Sequence, residues 1–356
     1  MTNTVSASVP AKGYAALSAT TPLQPFSFER RLPGPREVLI DIAFCGVCHS
    51  DIHQARDEWG GSMFPMVPGH EIVGTVKAVG NQVTRFQVGD LAGVGCMVDS
   101  CKACASCNDG FEQYCDRGFT GTYNAFERGS KTLTQGGYAD KITVREDFVL
   151  KISPRLDLKA VAPLLCAGVT TYSPLKHWKV GPGQTVGIVG LGGLGHMAVK
   201  FAKEFGAKVV VFTTSESKQK DALRLGADEV VVTTQRGAFD RYRGRMNFIL
   251  NTVAANIDFD PYLGCLKRDG TFVIVGIPED PLKVEAFSLI GGRRSIAGSL
   301  IGGIKETQEM LDYCAEKKIV SDVELIPIQQ INTAFERVIK SQVKYRFVID
   351  MKSLKS

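Results

Sequence analysis

The chain has 356 residues, 42 of them Lys or Arg and 37 Asp or Glu, for a net charge of +5 with histidine neutral. Hydrophobic residues are 44% and charged residues 22%, a globular balance that excludes a mainly disordered chain. So small a basic surplus excludes a polybasic nucleic-acid binder as the first reading. At about 150 residues per domain the length predicts two domains. MTNTVSASVP lacks the basic-then-apolar order of a signal peptide. The longest weakly polar stretch, residues 185–199, is broken by glycines and a histidine, so no membrane span is expected and the cytoplasm is the default location.

The first part of the chain predicts strands separated by long loops. EVLIDIAFCGVC (37–48) and HEIVGTVKAVG (70–80) alternate, carry β-branched residues and are flanked by Pro and Gly. GGYADKITV (136–144) is a further strand, and together they predict a β-barrel-like antiparallel domain. The pattern changes near Ser153. TVGIVG (185–190), KVVVFTT (208–214), EVVV (229–232), FILNTV (248–253), TFVIVG (271–276) and SIAGSLI (295–301) read as six buried strands. Helices at 194–206 and 216–227, each ending at a glycine, separate the first three strands. Continuous apolar strands alternating with helices predict one doubly wound parallel sheet. Helices at 306–318 and 331–341 and a strand at 345–350 break that alternation and are expected to return to the first domain.

There are ten cysteines, and four of them, Cys101, Cys104, Cys107 and Cys115, form C-x2-C-x2-C-x7-C. Two-residue spacers let successive thiolates face one centre, and four thiolates suit a closed, structural zinc site. An iron–sulfur cluster is the other metal group such a set takes. The surrounding DSCKACASCNDGFEQYCD is too polar to fold by burial, so a metal would supply its order. Gly190-Leu191-Gly192-Gly193-Leu194-Gly195 is a G-x-G-x-x-G sequence between a predicted strand and a predicted helix, the context a dinucleotide-binding turn requires. The first glycine permits the turn, the second lets backbone approach a pyrophosphate, and the third lets helix and strand pack. The next strand ends in Thr213, Thr214 and Ser215, with Lys218 following, where a site for NAD carries a carboxylate. Hydroxyls and an ammonium would bind a 2′-phosphate, which predicts NADP(H). Glu216 is the carboxylate that could turn inward there, and the hydroxyls also suit helix capping. Cys48, His70 and Cys166 supply the ligand types of an open zinc site, but their spacing does not join them in space.

CGVCHSDIH, VPGHEIVGTV, the four-cysteine lobe, LLCAGVTTYSPL, VGIVGLGGLGHMAVKFAK and YRFVID occur in this order. Over essentially the whole chain they resemble the zinc-dependent medium-chain alcohol dehydrogenases. PLLCAGVTTYSPL, FTTSESK and GSLIGG resemble the cinnamyl-alcohol-dehydrogenase-like branch, which includes bacterial broad-range NADPH-dependent aldehyde reductases. The resemblance implies a GroES-like catalytic domain over 1–156, completed by 300–356, and a Rossmann domain over 157–299. It implies two zinc ions per chain, with Cys48, His70 and Cys166 holding the catalytic one and Glu71 beside it as an alternate ligand. Asp51 would orient the ligand histidine. Ser50 and His53 would relay a proton toward solvent through the cofactor ribose. His49 and Arg346 would lie near the pyrophosphate, and Thr170 would join Gly190, Gly192, Gly193, Leu194 and Gly195 in holding the cofactor. Trp59, Leu300 and Ile301 would line the substrate cleft. Cys96, Cys265 and Cys314 receive no role.

The function implied is reversible hydride transfer between NADP(H) and a small aldehyde or primary alcohol, aromatic or medium aliphatic, with zinc polarising the carbonyl oxygen. Neither nucleic acid nor membrane is an expected partner, and relatives of the branch suggest a homodimer. A polyol dehydrogenase would need an acidic end on the second strand. A zinc-free quinone reductase would lack both ligand sets. A non-catalytic zinc-binding redox sensor or scaffold of the same fold is the alternative from another class.

Overall fold

Short segments rich in Val and Ile need cover on both faces, and a parallel sheet flanked by helices provides it. The computed structural model describes residues 8–278 and 280–355. Within Ala167–Ile301, one of two compact units, six strands form a parallel sheet. Their order is Glu229–Val232, Lys208–Thr213, Thr185–Val189, Met246–Asn251, Leu266–Ile274, Ser295–Gly298, or 3-2-1-4-5-6 in chain order. This is the doubly wound order, whose direction reverses beside the first strand and leaves a crevice there. Val209, Val210, Val211 and Phe212 are all buried. On one face Phe212 meets Tyr262 edge-on at 5.3 Å, over Leu263 and Phe272.

Helices Gly195–Glu204 and Gln219–Leu225 are shorter than their sequence patterns. Glycine stops both, Gly206 at φ +84 and Gly226 at φ +114. The second is preceded by a 3-10 turn, Glu216–Lys218. The strand expected to reach residue 301 ends at Gly298. Ile301 takes φ +36, outside the extended region, so it lies beyond the sheet.

The other unit holds the described residues up to Cys166 and those from Gly302 onward. Residues 157–166, read from sequence as part of the dinucleotide domain, cluster here because Ala160, Val161, Leu164 and Leu165 bury against its sheet. That sheet runs Val323–Pro327, Arg346–Asp350, Glu37–Gly46, Ile72–Val79, Leu91–Val94, Leu150–Lys151, with Lys141–Arg145 also paired to Glu37–Gly46. All its pairings are antiparallel except the first, which is parallel. The tail thus supplies two strands of this sheet, as its broken alternation suggested. A hairpin, Ser8–Ala15 with Gln24–Arg31, has no counterpart in the sequence reading. Pro10 and Pro25 fall inside it and mask the strand pattern.

The strand read as 37–48 ends at Gly46, and a helix, His49–Ala55, begins after Cys48. Asp51, its third residue, reaches back to accept the Cys48 backbone N–H at 2.9 Å. Among the described residues no helix is long and apolar enough to cross a membrane.

Gly69 sits at φ +105, and a Cβ there would lie 2.7 Å from Tyr138 Cδ1 and 2.9 Å from Cys45 Sγ. Gly69→Ala is therefore expected to cost roughly 2 kcal/mol or more through backbone strain and overpacking. A thermal midpoint unchanged from the parent in calorimetry would contradict this close packing.

Candidate active site

Strand ends gather the dispersed cysteines and histidine. Cys48 leaves strand Glu37–Gly46 and caps the next helix. His70 and Glu71 immediately precede strand Ile72–Val79, whose Ile72 pairs with Cys45. Cys166 follows the turn Ala162–Leu165. All four side chains are buried, and one ligand atom from each of Cys48, His70, Glu71 and Cys166 lies within 4.8 Å of the others. The Cys48 and Cys166 sulfurs are 3.9 Å apart. Two legs of about 2.3 Å at a tetrahedral angle would span about 3.8 Å, so the spacing suits zinc.

Asp51, fully buried, organises this cluster. It accepts hydrogen bonds from His70 Nδ1 (3.0 Å), Gly69 N (3.1 Å), Cys48 N (2.9 Å) and the Tyr138 hydroxyl (3.0 Å). The His70 Nδ1 proton is thereby assigned, which leaves Nε2 as the ligand atom. Burial is the largest single effect and would lower the His70 pKa, but the charge and hydrogen bond of Asp51, with Cys96 and Cys48, together hold it well above the histidine norm. The Cys166 thiol, hydrogen-bonded to Cys48, holds Cys48 well below the ordinary thiol value against the effect of burial. Cys166 itself is pushed up by the same bond.

Glu71 forms a buried ion pair with Arg346, while its Oε2 has no hydrogen-bond partner. An orphaned carboxylate oxygen beside two thiols and an imidazole fits a cation. Gly46 makes room for it, since a Cβ there would collide with the Glu71 carboxylate. Arg346, assigned to the pyrophosphate by resemblance, spends its guanidinium on Glu71, and its Nε is buried without a partner.

Ser50 and His53 stand three apart on helix His49–Ala55, on neighbouring positions of one face. Ser50 Oγ is 3.7 Å from Cys48 Sγ. His53 pairs through Nδ1 with Glu58 and is stacked between His49 (5.1 Å) and the exposed Trp59 (4.8 Å).

The sulfurs of Cys101, Cys104, Cys107 and Cys115 also lie within 4.8 Å of one another. Cys101 and Cys107 are 3.8 Å apart, and backbone N–H groups of Cys101 and Cys104 point at Cys115 Sγ (3.4 Å) and Cys101 Sγ (3.3 Å). N–H donors directed at sulfur stabilise thiolates, and four thiolates this close suit a closed tetrahedral zinc site. All ten cysteines are free thiols.

In the other unit the glycine loop has the geometry its sequence implied. Gly190 takes φ +90, a Cβ on Gly195 would strike the Gly190 carbonyl, and Gly192 has open space about it. Helix Gly195–Glu204 begins at the third glycine, with His196 N donating back to Gly192 O (3.1 Å) and Met197 N to Leu194 O (3.0 Å). At the end of the second strand Thr213 Oγ1 accepts the Ser215 N–H at 3.2 Å, and Ser215 Oγ contacts Ser217 Oγ at 2.7 Å. Ser215 makes no side-chain cap to the following turn. Thr214 is exposed, and burial lowers the pKa of the half-buried Lys218. Glu216 accepts a hydrogen bond from Gln235 at 3.0 Å. Thr170, near the start of helix Ala167–His177, has a buried Oγ1 without a partner. Leu300 is 43% exposed and Ile301 partly so.

Sequence reasoning missed Tyr138 on Asp51, Tyr123 stacked on His70 at 5.9 Å, and Cys96, which hydrogen-bonds both Cys166 and Leu165 O (3.9 Å). The pairing of Glu71 with Arg346, 275 residues later, was also invisible. No motif marks these residues; only the strand pairings bring them in.

Residues 34–154 match the alcohol dehydrogenase GroES-like domain, and residues 193–316 match the zinc-binding dehydrogenase domain. The chain is 56% identical over 345 residues to aldehyde reductase YahK of Escherichia coli, covering 96% of this chain and 99% of that protein. It is 54% identical over 344 residues to NADP-dependent alcohol dehydrogenase C 1 of Mycolicibacterium smegmatis, covering 96% and 98%. Among solved structures, cinnamyl alcohol dehydrogenase SbCAD4 of Sorghum bicolor superposes with a TM-score of 0.94 at 44% identity, covering 97% of this chain and 98% of that one. CAD of Helicobacter pylori, solved with NADP(H), gives 0.91 at 42% identity, covering 97% and 99%. A GroES-like unit joined to a doubly wound unit defines a medium-chain dehydrogenase. This chain belongs to the zinc-binding alcohol dehydrogenase family, and so is an oxidoreductase.

Removing Arg346 would strand the Glu71 charge in the interior. Arg346→Ala is expected to cost about 3–5 kcal/mol in urea unfolding, and adding Glu71→Gln should recover part of it. Equal stability of the single variant and the parent would show that the pair contributes nothing.

Proposed function

We propose that this chain is a zinc-dependent, NADPH-linked aldehyde reductase that also runs in reverse as an alcohol dehydrogenase. The observation that carries the reading is the convergence of Cys48, His70 and Cys166, with the orphaned Glu71 oxygen beside them, in a member of this family. Each chain holds two zinc ions. Cys101, Cys104, Cys107 and Cys115 bind the structural ion, and Cys48, His70 and Cys166 the catalytic one, with Glu71 as alternate ligand. When bound, the catalytic zinc supplies a Lewis acid for the carbonyl oxygen, and NADPH supplies the hydride.

The chain's own groups do the rest. Asp51 holds the proton of His70 on Nδ1 and keeps Nε2 aimed at the metal. Ser50 Oγ donates a proton to the product oxygen and regains one through His53, which Glu58 holds at the partly exposed end of the helix. Gly190, Gly192, Gly193, Leu194 and Gly195 bind the pyrophosphate through backbone, and Thr170 offers its unpartnered hydroxyl to the cofactor. His49, whose pKa burial lowers, and Arg346, already paired with Glu71, lie near the pyrophosphate. Thr213, Thr214, Ser215 and Lys218 bind the 2′-phosphate. Glu216 supports this by being turned to Gln235 rather than free to repel it. Trp59, Leu300 and Ile301 offer apolar surface, which suits aromatic or medium aliphatic aldehydes. The working form is a homodimer in the reducing cytoplasm, with neither nucleic acid nor membrane as partner. No observation favours a non-catalytic sensor or scaffold.

His70→Ala is expected to abolish aldehyde reduction and to lower bound zinc from two equivalents to one, while NADPH still quenches protein fluorescence on binding. Near-normal turnover, or a parent holding fewer than two zinc ions by mass spectrometry, would overturn the two-site account.

The test of the whole reading is a panel of aldehydes and alcohols assayed with both cofactors. A hydrogen bond to a charged group contributes roughly 1.5–3 kcal/mol, so two or three on the phosphate, less its desolvation, should favour NADPH by about a hundredfold. Thr213→Asp should reverse much of that preference in kcat/KM. Equal use of NADH by the parent would show that the hydroxyls serve only the local turn.

A further inference from the structure

Tyr138 carries its hydroxyl into the centre of the first unit, and the backbone leaves it no freedom there. Gly136 N donates to Val67 O (2.6 Å), Gly137 N to Gly69 O (2.9 Å) and Tyr138 N to Pro68 O (2.9 Å). The segment bearing Tyr138 is thus bonded residue by residue to the segment that precedes His70. The ring is fully buried, and Gly69 lacks the Cβ that would displace it.

The partner of that hydroxyl is specific. Asp51 Oδ2 accepts from Tyr138 Oη (3.0 Å) and Cys48 N (2.9 Å), while Oδ1 accepts from His70 Nδ1 (3.0 Å) and Gly69 N (3.1 Å). One carboxylate therefore holds two of the proposed metal ligands, one by its backbone and one by its ring. Of these four donors, two are backbone N–H groups that no side-chain substitution removes. Tyr138 and Tyr123, which also hydrogen-bonds Asp51, are the side chains besides His70 whose donation sets how much negative charge Asp51 can return to it, and Tyr138 is the one locked in place by its backbone.

We propose that the Tyr138 hydroxyl tunes the metal-binding imidazole of His70 through Asp51, which makes Tyr138 a positioning residue of the reaction. This rests on the reading of Cys48, His70 and Cys166 as the catalytic zinc ligands. With the hydroxyl present, Asp51 is a weaker acceptor and draws less on the Nδ1 proton. His70 then donates less electron density, and a metal it holds is a stronger Lewis acid. Without the hydroxyl the carboxylate polarises the imidazole further and the metal becomes a poorer one. Substituting the direct partner of a ligand histidine typically changes metal affinity or activity 10- to 100-fold, so a group one bond further out should move it by about 3- to 10-fold.

The test uses the full-length protein with cobalt(II) in place of zinc, in which thiolate-to-metal absorption reports the electron density at the metal. Tyr138→Phe removes the donor, and 3-fluorotyrosine introduced at position 138 makes the donor more acidic while keeping the packing. The expected result is movement of the band in opposite directions, to shorter wavelength with Phe and to longer wavelength with fluorotyrosine. The four-cysteine cluster provides an unshifted reference. In the zinc enzyme Tyr138→Phe should lower kcat for aldehyde reduction by about 3- to 10-fold with KM little changed. Bands at the parental wavelength in both proteins would overturn the proposal and leave Tyr138 as packing, whatever the thermal midpoint does. If the Phe variant fails to fold, the fluorotyrosine protein decides alone. A parent that takes up no cobalt beyond the four-cysteine cluster would overturn the reading of the centre itself. A parent that binds cobalt but reduces no aldehyde would overturn only the assigned reaction.

Discussion

A carboxylate with no exposed surface is tolerable only if donors surround it, and the catalytic unit is arranged to provide them for Asp51. Four of its partners come from the start of one helix, the turn before one strand and a loop some ninety residues later in the chain, and Tyr123 adds a further one. Because it is satisfied by these particular groups, the segments carrying Cys48 and His70 cannot drift apart without exposing a buried charge. The same constraint explains why Gly69 takes a positive φ beside Tyr138, where a side chain would force the segments open.

The second buried charge, Glu71, follows a different rule. It is compensated by Arg346 on one side and left with a bare oxygen on the other. Burial of an ion pair costs desolvation free energy that a purely structural role would not repay. An unsatisfied acceptor inside a cluster of thiols and an imidazole is the kind of local deficit that folds retain at functional sites. The four-cysteine lobe has no comparable core: its helical turns are short and Cys101, Cys104 and Cys107 are partly exposed. Its order would depend on metal, whereas the Asp51 network stands on hydrogen bonds alone.

The dinucleotide unit divides its labour along the glycine loop. Two glycines act within the protein, Gly190 by its backbone angle and Gly195 by close packing, and Gly192 leaves open space for a ligand. In the proposed function, specificity sits elsewhere, at the end of the neighbouring strand, where hydroxyls and the desolvated ammonium of Lys218 stand in place of a carboxylate.

Contiguous signals were legible in the sequence. Buried parallel strands are continuous apolar runs, so the doubly wound unit and its glycine turn could be read directly, with edges off by a few residues where Ile301 or a glycine stops an element. The four-cysteine cluster was legible because its spacing is itself the chelate geometry. The catalytic cluster was not: Cys48, His70 and Cys166 are ordinary residues in three separated segments, and resemblance alone joined them. Tertiary structure made Asp51 a hub, turned Arg346 onto Glu71 and brought Tyr138, Tyr123 and Cys96 to the centre. The physical reason is that antiparallel pairing and long loops set neighbours by register across the sheet, a distance that local periodicity does not encode, whereas glycine angles and thiolate spacing are decided within a few residues of chain.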